Sequence, residues 1–254
     1  MSTQRRWLVL GAGGRLGRAL CTPERPHLLG VDRKGVDAAD ADAVLLALQF
    51  TGAFGALNLA AAADVARCER EPGWAYEGNV LTARGVALGA CRAGKPFVHV
   101  STDYVFGGQA PDLPNTRAPF WPSDRRDPVN TYGRSKAAGE VAVDGAMAGY
   151  LNPLGTVARM SFLTDPPGYG WVIGGVRVTK EWIGDAADRL DRFLVNGPTG
   201  ASSTVHLTPA RDTTLAALLH ERYPDVPVVP YKEGSRRLPY HLPADLRLGG
   251  AWAG

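Results

Sequence analysis

Short apolar runs bounded by turn residues alternate with helical periodicities through the first two thirds of the chain. "RWLVLGA" (6–12) reads as a buried strand, and "GRLGRALC" opens a helix directly behind it. "HLLGVD" (27–32) is a second short strand that ends in an acid. "DADAVLLALQF" (40–50) has helical periodicity, with acids in its first turn where the helix dipole favours them. "ALNLAAA" (56–62) and "PFVHVS" (96–101) read as further strands, separated by one long helix, 71–94, that stops near Gly94. A helix follows from about 131 to 147, and "LGTVARMSF" (154–162) is another strand. The alternation predicts an α/β fold: a doubly wound parallel sheet with helices on both faces.

Beyond residue 163 the pattern weakens. "KEWIGDAADRLDRFL" (180–194) and "RDTTLAALLHERY" (211–223) predict amphipathic helices, with "SSTVHL" (202–207) a strand between them. The last thirty residues are Pro-rich and irregular. The expected organisation is one α/β domain over 1–162 and a small region over 163–254, part of which is free to return to the first domain. The Pro-, Gly- and Asp-rich stretch 107–130 is too long for an idle connection and reads as a functional loop. Phe120 and Trp121 within it could serve as a lid or as an anchor.

"VLGAGGRLG" places Gly11, Gly14 and Gly17 between a strand and a helix, with Gly13 as an extra glycine. Bare backbone there lets a pyrophosphate approach the positive end of the helix without meeting a Cβ. The second strand then ends in Asp32, about 20 residues on, where an acid can accept hydrogen bonds from an adenosine ribose. Asp32 would repel a 2′-phosphate, whereas its neighbour Arg33 could accommodate one. The expected cofactor is therefore NAD(H) or NADP(H), with a slight lean to NAD(H).

Tyr132 and Lys136 lie one helical turn apart, on one face. A tyrosine ordinarily keeps its proton to about pH 10, and a nearby lysine cation would lower that value by stabilising the phenolate. The same cation could hold a nicotinamide ribose. Ser101 and Thr102 end a strand at the edge where open α/β sheets bind ligands, so a hydroxyl there could hold a substrate carbonyl beside Tyr132.

Composition narrows the classes without adding chemistry. The net charge is +3 with both signs interspersed, which implies neither a nucleic-acid nor a membrane surface. Cys21, Cys68 and Cys91, in segments read as helical, are too few and scattered for a disulfide framework or a metal cluster. The five histidines have no metal-ligand spacing, and His99 reads as a packed core residue. No apolar run suits a membrane span, and "MSTQRR" leads into a strand without a signal-peptide pattern, so a cytoplasmic protein is expected.

Four segments together are more specific: "GAGGRLGRAL", "ALNLAAAADVARCEREP", "HVSTDYVFGG" and "DPVNTYGRSKAAGE". In that order the chain resembles the dTDP-4-dehydrorhamnose reductase family of extended short-chain dehydrogenases, over roughly residues 5–162. The resemblance implies a dinucleotide-binding, Rossmann-type domain over 1–162 and a small, shortened C-terminal substrate-binding region over 163–254, with Thr102, Tyr132 and Lys136 catalytic and Asp103 beside the substrate. It implies that Gly14, Arg15 and Leu16 meet the pyrophosphate, Asp37 and Ala38 the adenine, and that Ala61, Ala62 and Ala63 lie along the cofactor. Phe162 stands where the family has a tryptophan after Arg-x-Ser, and it is expected at the substrate. Ala62-Ala63 and Val65-Ala66 depart from the family's pattern, and a Thr of the nicotinamide pocket is replaced by Ala63. "TKEWIG" (179–184) falls where relatives contribute substrate contacts, although Lys180 reads as a solvated charge and Trp182 as a core aromatic.

The implied activity is NAD(P)H-dependent reduction of a keto group on a nucleotide-activated deoxysugar, by a soluble enzyme whose homodimerisation is left open. One rival is an epimerase or dehydratase of the same fold. The Asp103-Tyr104 pair disfavours a dehydratase, which would carry Asp-Glu there. Another is a non-catalytic, cofactor-binding regulatory subunit, consistent with Ala63 and the short C-terminal region.

Overall fold

The computed structural model describes residues 5–107, 119–165, 170–197, 202–210, 213–230 and 245–248. In chain order, β1 (Trp7–Leu10), α1 (Arg15–Leu20), β2 (Leu28–Val31), α2 (Ala41–Thr51) and β3 (Gly55–Asn58) come first. Next come α3 (Val65–Arg70) and α4 (Pro72–Tyr76), a π-helical turn (Glu77–Leu81) and α5 (Thr82–Arg92). Then follow β4 (Phe97–Thr102), a 3₁₀ turn (Asp103–Val105), α6 (Thr131–Met147) and β5 (Gly155–Met160). The remaining elements are short: β6 (Phe162–Leu163), β7 (Val172–Ile173), β8 (Arg177–Val178) and β9 (Glu181–Trp182), before α7 (Ile183–Asn196). Last are β10 (Ser203–His206), β11 (Thr213–Thr214), α8 (Leu215–His220), β12 (Val228–Val229) and β13 (Asp245–Leu246).

Six strands form one parallel sheet in the order β10-β5-β4-β3-β1-β2. Every residue of β1 is buried, because a strand covered on both faces has no polar side. Its side chains alternate: Leu8 and Leu10 join Val44, Leu48, Val86 and Phe97 under α2 and α5, and Trp7 and Val9 join Leu20, Leu57, Val98 and Leu190 under α1 and α7. β10 lies beside β5, so the sheet draws its edge strand from beyond residue 162. Polar contacts fix α7 beside α1: Arg25 pairs with Asp188, and His27 with Asp191 at 2.7 Å.

Several boundaries differ from the periodicity. The run 56–62 leaves the sheet after Asn58, whose carboxamide accepts the Ala60 N–H and turns the chain. The helix expected over 71–94 is interrupted by the π turn, and that expected over 180–194 starts at Ile183 because Glu181–Trp182 pairs with β6. The helix of 211–223 shrinks to α8. Cys21 caps α1 rather than lying inside a helix, and all three thiols are free. Of the loop 107–130, residues 108–118 lie outside the described ones. In its second half Phe120 stacks on Phe106, ring centroids 4.5 Å apart, and is an anchor, whereas Trp121 is largely exposed.

Candidate functional site

After β1 the backbone turns at Gly11 with φ +86°, where a Cβ would lie 2.6 Å from the Ala60 nitrogen. Only glycine suits that conformation and that approach. A Cβ on Gly17 would meet the Gly11 carbonyl at 2.5 Å, so this glycine serves helix–turn packing. Gly14 is the N-cap of α1. Gly11 and Gly14 border a cleft of ≈ 570 Å³, lined further by Arg33, Asp37, Ala38 and the segment Leu59–Ala62, with Trp74 on its wall. It opens between β1 and β3, where the strand order reverses, the general ligand crevice of such sheets.

The expected cofactor residues divide. Leu16 is buried in the core with Trp7 and Val9, so only its backbone could meet a phosphate. Arg15 is exposed, and its charge reaches the Tyr132 hydroxyl. Ala63 is exposed and does not border the cleft, unlike Ala61 and Ala62. Asp32 is exposed, and one of its carboxylate oxygens is folded back onto the Lys34 and Gly35 amides at 3.0 and 3.2 Å. Arg33, not Asp32, borders the cleft, which removes the ground for a lean to NAD(H).

Asn79, in the π turn, is fully buried and clamps Ala62. It accepts the Ala62 N–H at 2.9 Å, and donates to the Ala62 carbonyl at 3.0 Å and the Ser135 hydroxyl at 2.8 Å. One asparagine thus joins the cleft wall to α6. The extra residue of a π turn re-aims such a side chain, and these turns recur at functional sites.

The start of α6 is held from two directions. Asn130 caps it through the Gly133 amide at 2.8 Å, and Glu69 of α3 accepts from the Thr131 amide at 2.7 Å and its hydroxyl at 2.6 Å. Carboxylates are favoured at a helix N-terminus. Tyr132 follows directly, packed against Ala62, Cys68 and Trp74, with its ring edge-on to Tyr104 at 5.6 Å. Its hydroxyl lies near that of Thr102 at the end of β4. Burial pushes the Tyr132 phenol well above its ordinary pKa; Thr102 and Arg15 oppose this, while Asp103 and Cys68 add to it.

Lys136 is buried and points elsewhere: its Nζ donates to the Val100 carbonyl at 2.7 Å and lies 3.4 Å from His99 Nε2. Burial lowers its pKa to about 8, against a smaller opposing influence of Glu140. Ser101 does not face the cleft; it donates to Glu140 at 2.6 Å, within a buried cluster that includes Arg159.

A second polar group flanks Thr102. Asp103 accepts from the Thr102 hydroxyl at 3.0 Å, from Lys180 Nζ at 2.9 Å and from the Ser161 hydroxyl. Lys180 also bonds Ser161 and sits 5.6 Å from the Tyr104 ring centre. Lys180 is therefore a buried partner of Asp103 and not a solvated charge. Phe162 packs against the cluster under α1 and α7, so its neighbour Ser161, of opposite strand direction, is the residue that reaches Asp103. A carbonyl oxygen placed beside Thr102 and Tyr132 would meet the phenol proton of Tyr132, while the Thr102 proton is directed at Asp103.

Among the described residues no helix is long and apolar enough to cross a membrane, and no cluster of metal-ligating side chains occurs.

Residues 5–172 match the family model described as the RmlD substrate binding domain. A dTDP-4-dehydrorhamnose reductase of Sinorhizobium fredii (strain NBRC 101917 / NGR234) is 32% identical over 73% of this chain. The match covers 60% of that relative, so the chain spans less than two thirds of its length. Among solved structures, a dTDP-4-dehydrorhamnose reductase from Bacillus anthracis str. Ames, in complex with NADP, superposes with a TM-score of 0.78 at 21% identity. The superposition covers 98% of this chain and 91% of that one. MoeE5, in complex with UDP-glucuronic acid and NAD, superposes with a TM-score of 0.70 at 18% identity over 98% and 94%. At these identities the structural likeness concerns the fold.

Proposed function

The chain belongs to the RmlD substrate binding domain family, and from that premise we propose that it is an NAD(P)H-dependent reductase of a keto group on a nucleotide-activated deoxysugar. The observation that carries the reading is the Thr102–Tyr132 hydroxyl pair beside Ala62, at the end of a cleft that begins at Gly11 and Gly14. The residues present fit a dinucleotide: Gly11 and Gly14 border the cleft at the head of α1, and Arg33 and Asp37 line it further along. When bound, a reduced nicotinamide supplies hydride.

Gly11, Gly14 and the backbone of Leu16 cradle the phosphates at the head of α1. Arg33 offers a cation to a 2′-phosphate, so NADPH is preferred and NADH accepted more weakly. Tyr132 holds the substrate's carbonyl oxygen beside Thr102 and gives that oxygen its proton as negative charge develops. The raised phenol pKa suits this direction, because the proton stays on Tyr132 until an alkoxide needs it. Lys136 carries donors for the nicotinamide ribose, and the Asp103–Lys180 pair orients Thr102 through its hydroxyl.

The test is incubation of the purified chain with NADPH or NADH and a panel of 4-keto-6-deoxy sugar nucleotides. Oxidation of the reduced cofactor with at least one of them is expected. Cofactor binding without turnover on any member of the panel would favour the regulatory-subunit reading instead.

A further inference from the structure

His99 lies in the middle of β4 with both ring nitrogens occupied, and proton counting around it has one solution. Asn58 ends β3, and its Oδ1 accepts the Ala60 N–H at 3.0 Å on the wall of the cleft. Rotating that carboxamide by half a turn would set its NH₂ against the Ala60 N–H, so the orientation is fixed by backbone. Asn58 Nδ2 therefore faces His99 Nδ1, 3.1 Å away, as a donor. Nδ1 must be the bare acceptor, and a neutral imidazole then carries its proton on Nε2. Nε2 is the nitrogen 3.4 Å from Lys136 Nζ.

We propose that Asn58 and His99 form a positioning relay for Lys136: by presenting an N–H where an ammonium would want a lone pair, it disfavours the charged lysine and turns the amine toward the Val100 carbonyl. An amine can accept the Nε2 proton and still donate to Val100 at 2.7 Å, whereas an ammonium would face a second donor. His99 cannot escape by taking a second proton, since burial holds its pKa well below the ordinary value and any charge on Lys136 lowers it further. The lysine is likewise lowered, to about 8.

The other groups facing this amine leave the relay decisive. On α6 itself Glu140 favours the ammonium, but its carboxylate is engaged by Arg159 of β5 at 2.8 Å, by Arg126 at 2.9 Å and by Ser101 at 2.6 Å. The carboxylate near Tyr132, Asp103, is paired with Lys180. From β4 the lysine meets a backbone carbonyl and His99. The relay starts at Ala60, so the cleft wall and the lysine are mechanically joined. On the proposed function this gives the partner of Tyr132 a titration close to working pH, where loss and recovery of a proton are both accessible.

The relay is measurable without cofactor or substrate, so its failure is separate from failure of the proposed activity. The chain has five histidines and five lysines, few enough to assign by substitution. In ¹⁵N-labelled cofactor-free protein, two-bond ¹H–¹⁵N spectra report which His99 nitrogen is protonated, with His99→Leu identifying the signals. A neutral ring protonated on Nε2 is expected, together with a Lys136 amine that titrates below the other lysines.

Asn58→Asp keeps the acceptor for Ala60 but offers an acceptor to His99. The ring proton should move to Nδ1, Nε2 should become a lone pair, and the Lys136 midpoint should rise by about 1 pH unit or more. The same substitution in a His99→Leu background adds charge without the relay and should raise it less. A wild-type His99 protonated on Nδ1 overturns the proposal whether or not any variant folds, and so does an equal rise in both backgrounds. A relay that holds in a protein without reductase activity would contradict the proposed function alone.

Discussion

Asn79→Ala removes a clamp whose cost can be worked from its partners. Asn79 is fully buried, so water does not replace what is lost. The Ala62 N–H, held at 2.9 Å, becomes an orphan donor, which costs about 1–3 kcal/mol. The Ala62 carbonyl retains only the Cys68 thiol at 3.4 Å, a weak donor, and adds about 0.5–1 kcal/mol. Ser135 keeps its own bond to the Tyr132 carbonyl at 2.8 Å and contributes little. The sum is about 1.5–4 kcal/mol, a large share of the stability of an ordinary domain. Urea unfolding followed by circular dichroism reads it directly. Asn79→Leu separates polar loss from lost volume: it refills the space yet leaves the orphan, so it should recover less than half. Because Ala62 borders the cleft, NADPH affinity should fall in both variants. A loss below about 0.5 kcal/mol for Asn79→Ala, or full recovery by Leu, would refute the clamp.

Other expectations follow from the same geometry. Arg33→Ala should weaken NADPH binding by about tenfold or more and NADH binding far less, the scale of one charge-assisted hydrogen bond; equal losses in fluorescence titrations would count against Arg33 as the phosphate partner. Lys180→Met strands the buried Asp103 carboxylate, which should cost about 3–5 kcal/mol in urea unfolding, and Asp103→Asn in the same chain should recover part of it. The lowered lysine sets a pH window. Between pH 8 and 10.5 the unfolded chain binds a proton at Lys136 that the folded chain does not, so stability should rise with pH across it. Lys136→Met should flatten that rise, and a slope unchanged by the substitution would contradict the burial of this amine.

How much of this was legible beforehand depends on how local each signal is. β1, β4 and α6 lie close to where periodicity puts them, because continuous apolar runs and the Asn130 cap are local features. Gly11 and Gly17 could be read as a turn for the same reason, although the atoms that demand glycine, Ala60 and the Gly11 carbonyl, are visible only in three dimensions. An acid at the end of the second strand says nothing about which way its carboxylate turns; at Asp32 two following amides take one of its oxygens.

Asn79 was hidden in a helical pattern that gives no warning of a π turn. Lys180 and Ser161 meet Asp103 across long stretches of chain, in two-residue strands too short to carry a period. His99 was correctly read as buried, but no spacing rule relates it to Asn58 and Lys136, which come from β3 and α6.

The central claim is that Tyr132 protonates a carbonyl oxygen held beside Thr102 while hydride arrives from a reduced nicotinamide in the cleft. The most direct measurement uses deuterated NADPH and a 4-keto-6-deoxy sugar nucleotide, comparing wild type with Tyr132→Phe by mass and NMR analysis of the product. Deuterium at the carbinol carbon is expected from the wild type. In Tyr132→Phe, kcat should fall by about 10²–10⁴ while NADPH affinity is nearly unchanged. A variant that turns over as fast as wild type, or a wild-type product without deuterium at that carbon, would contradict the account.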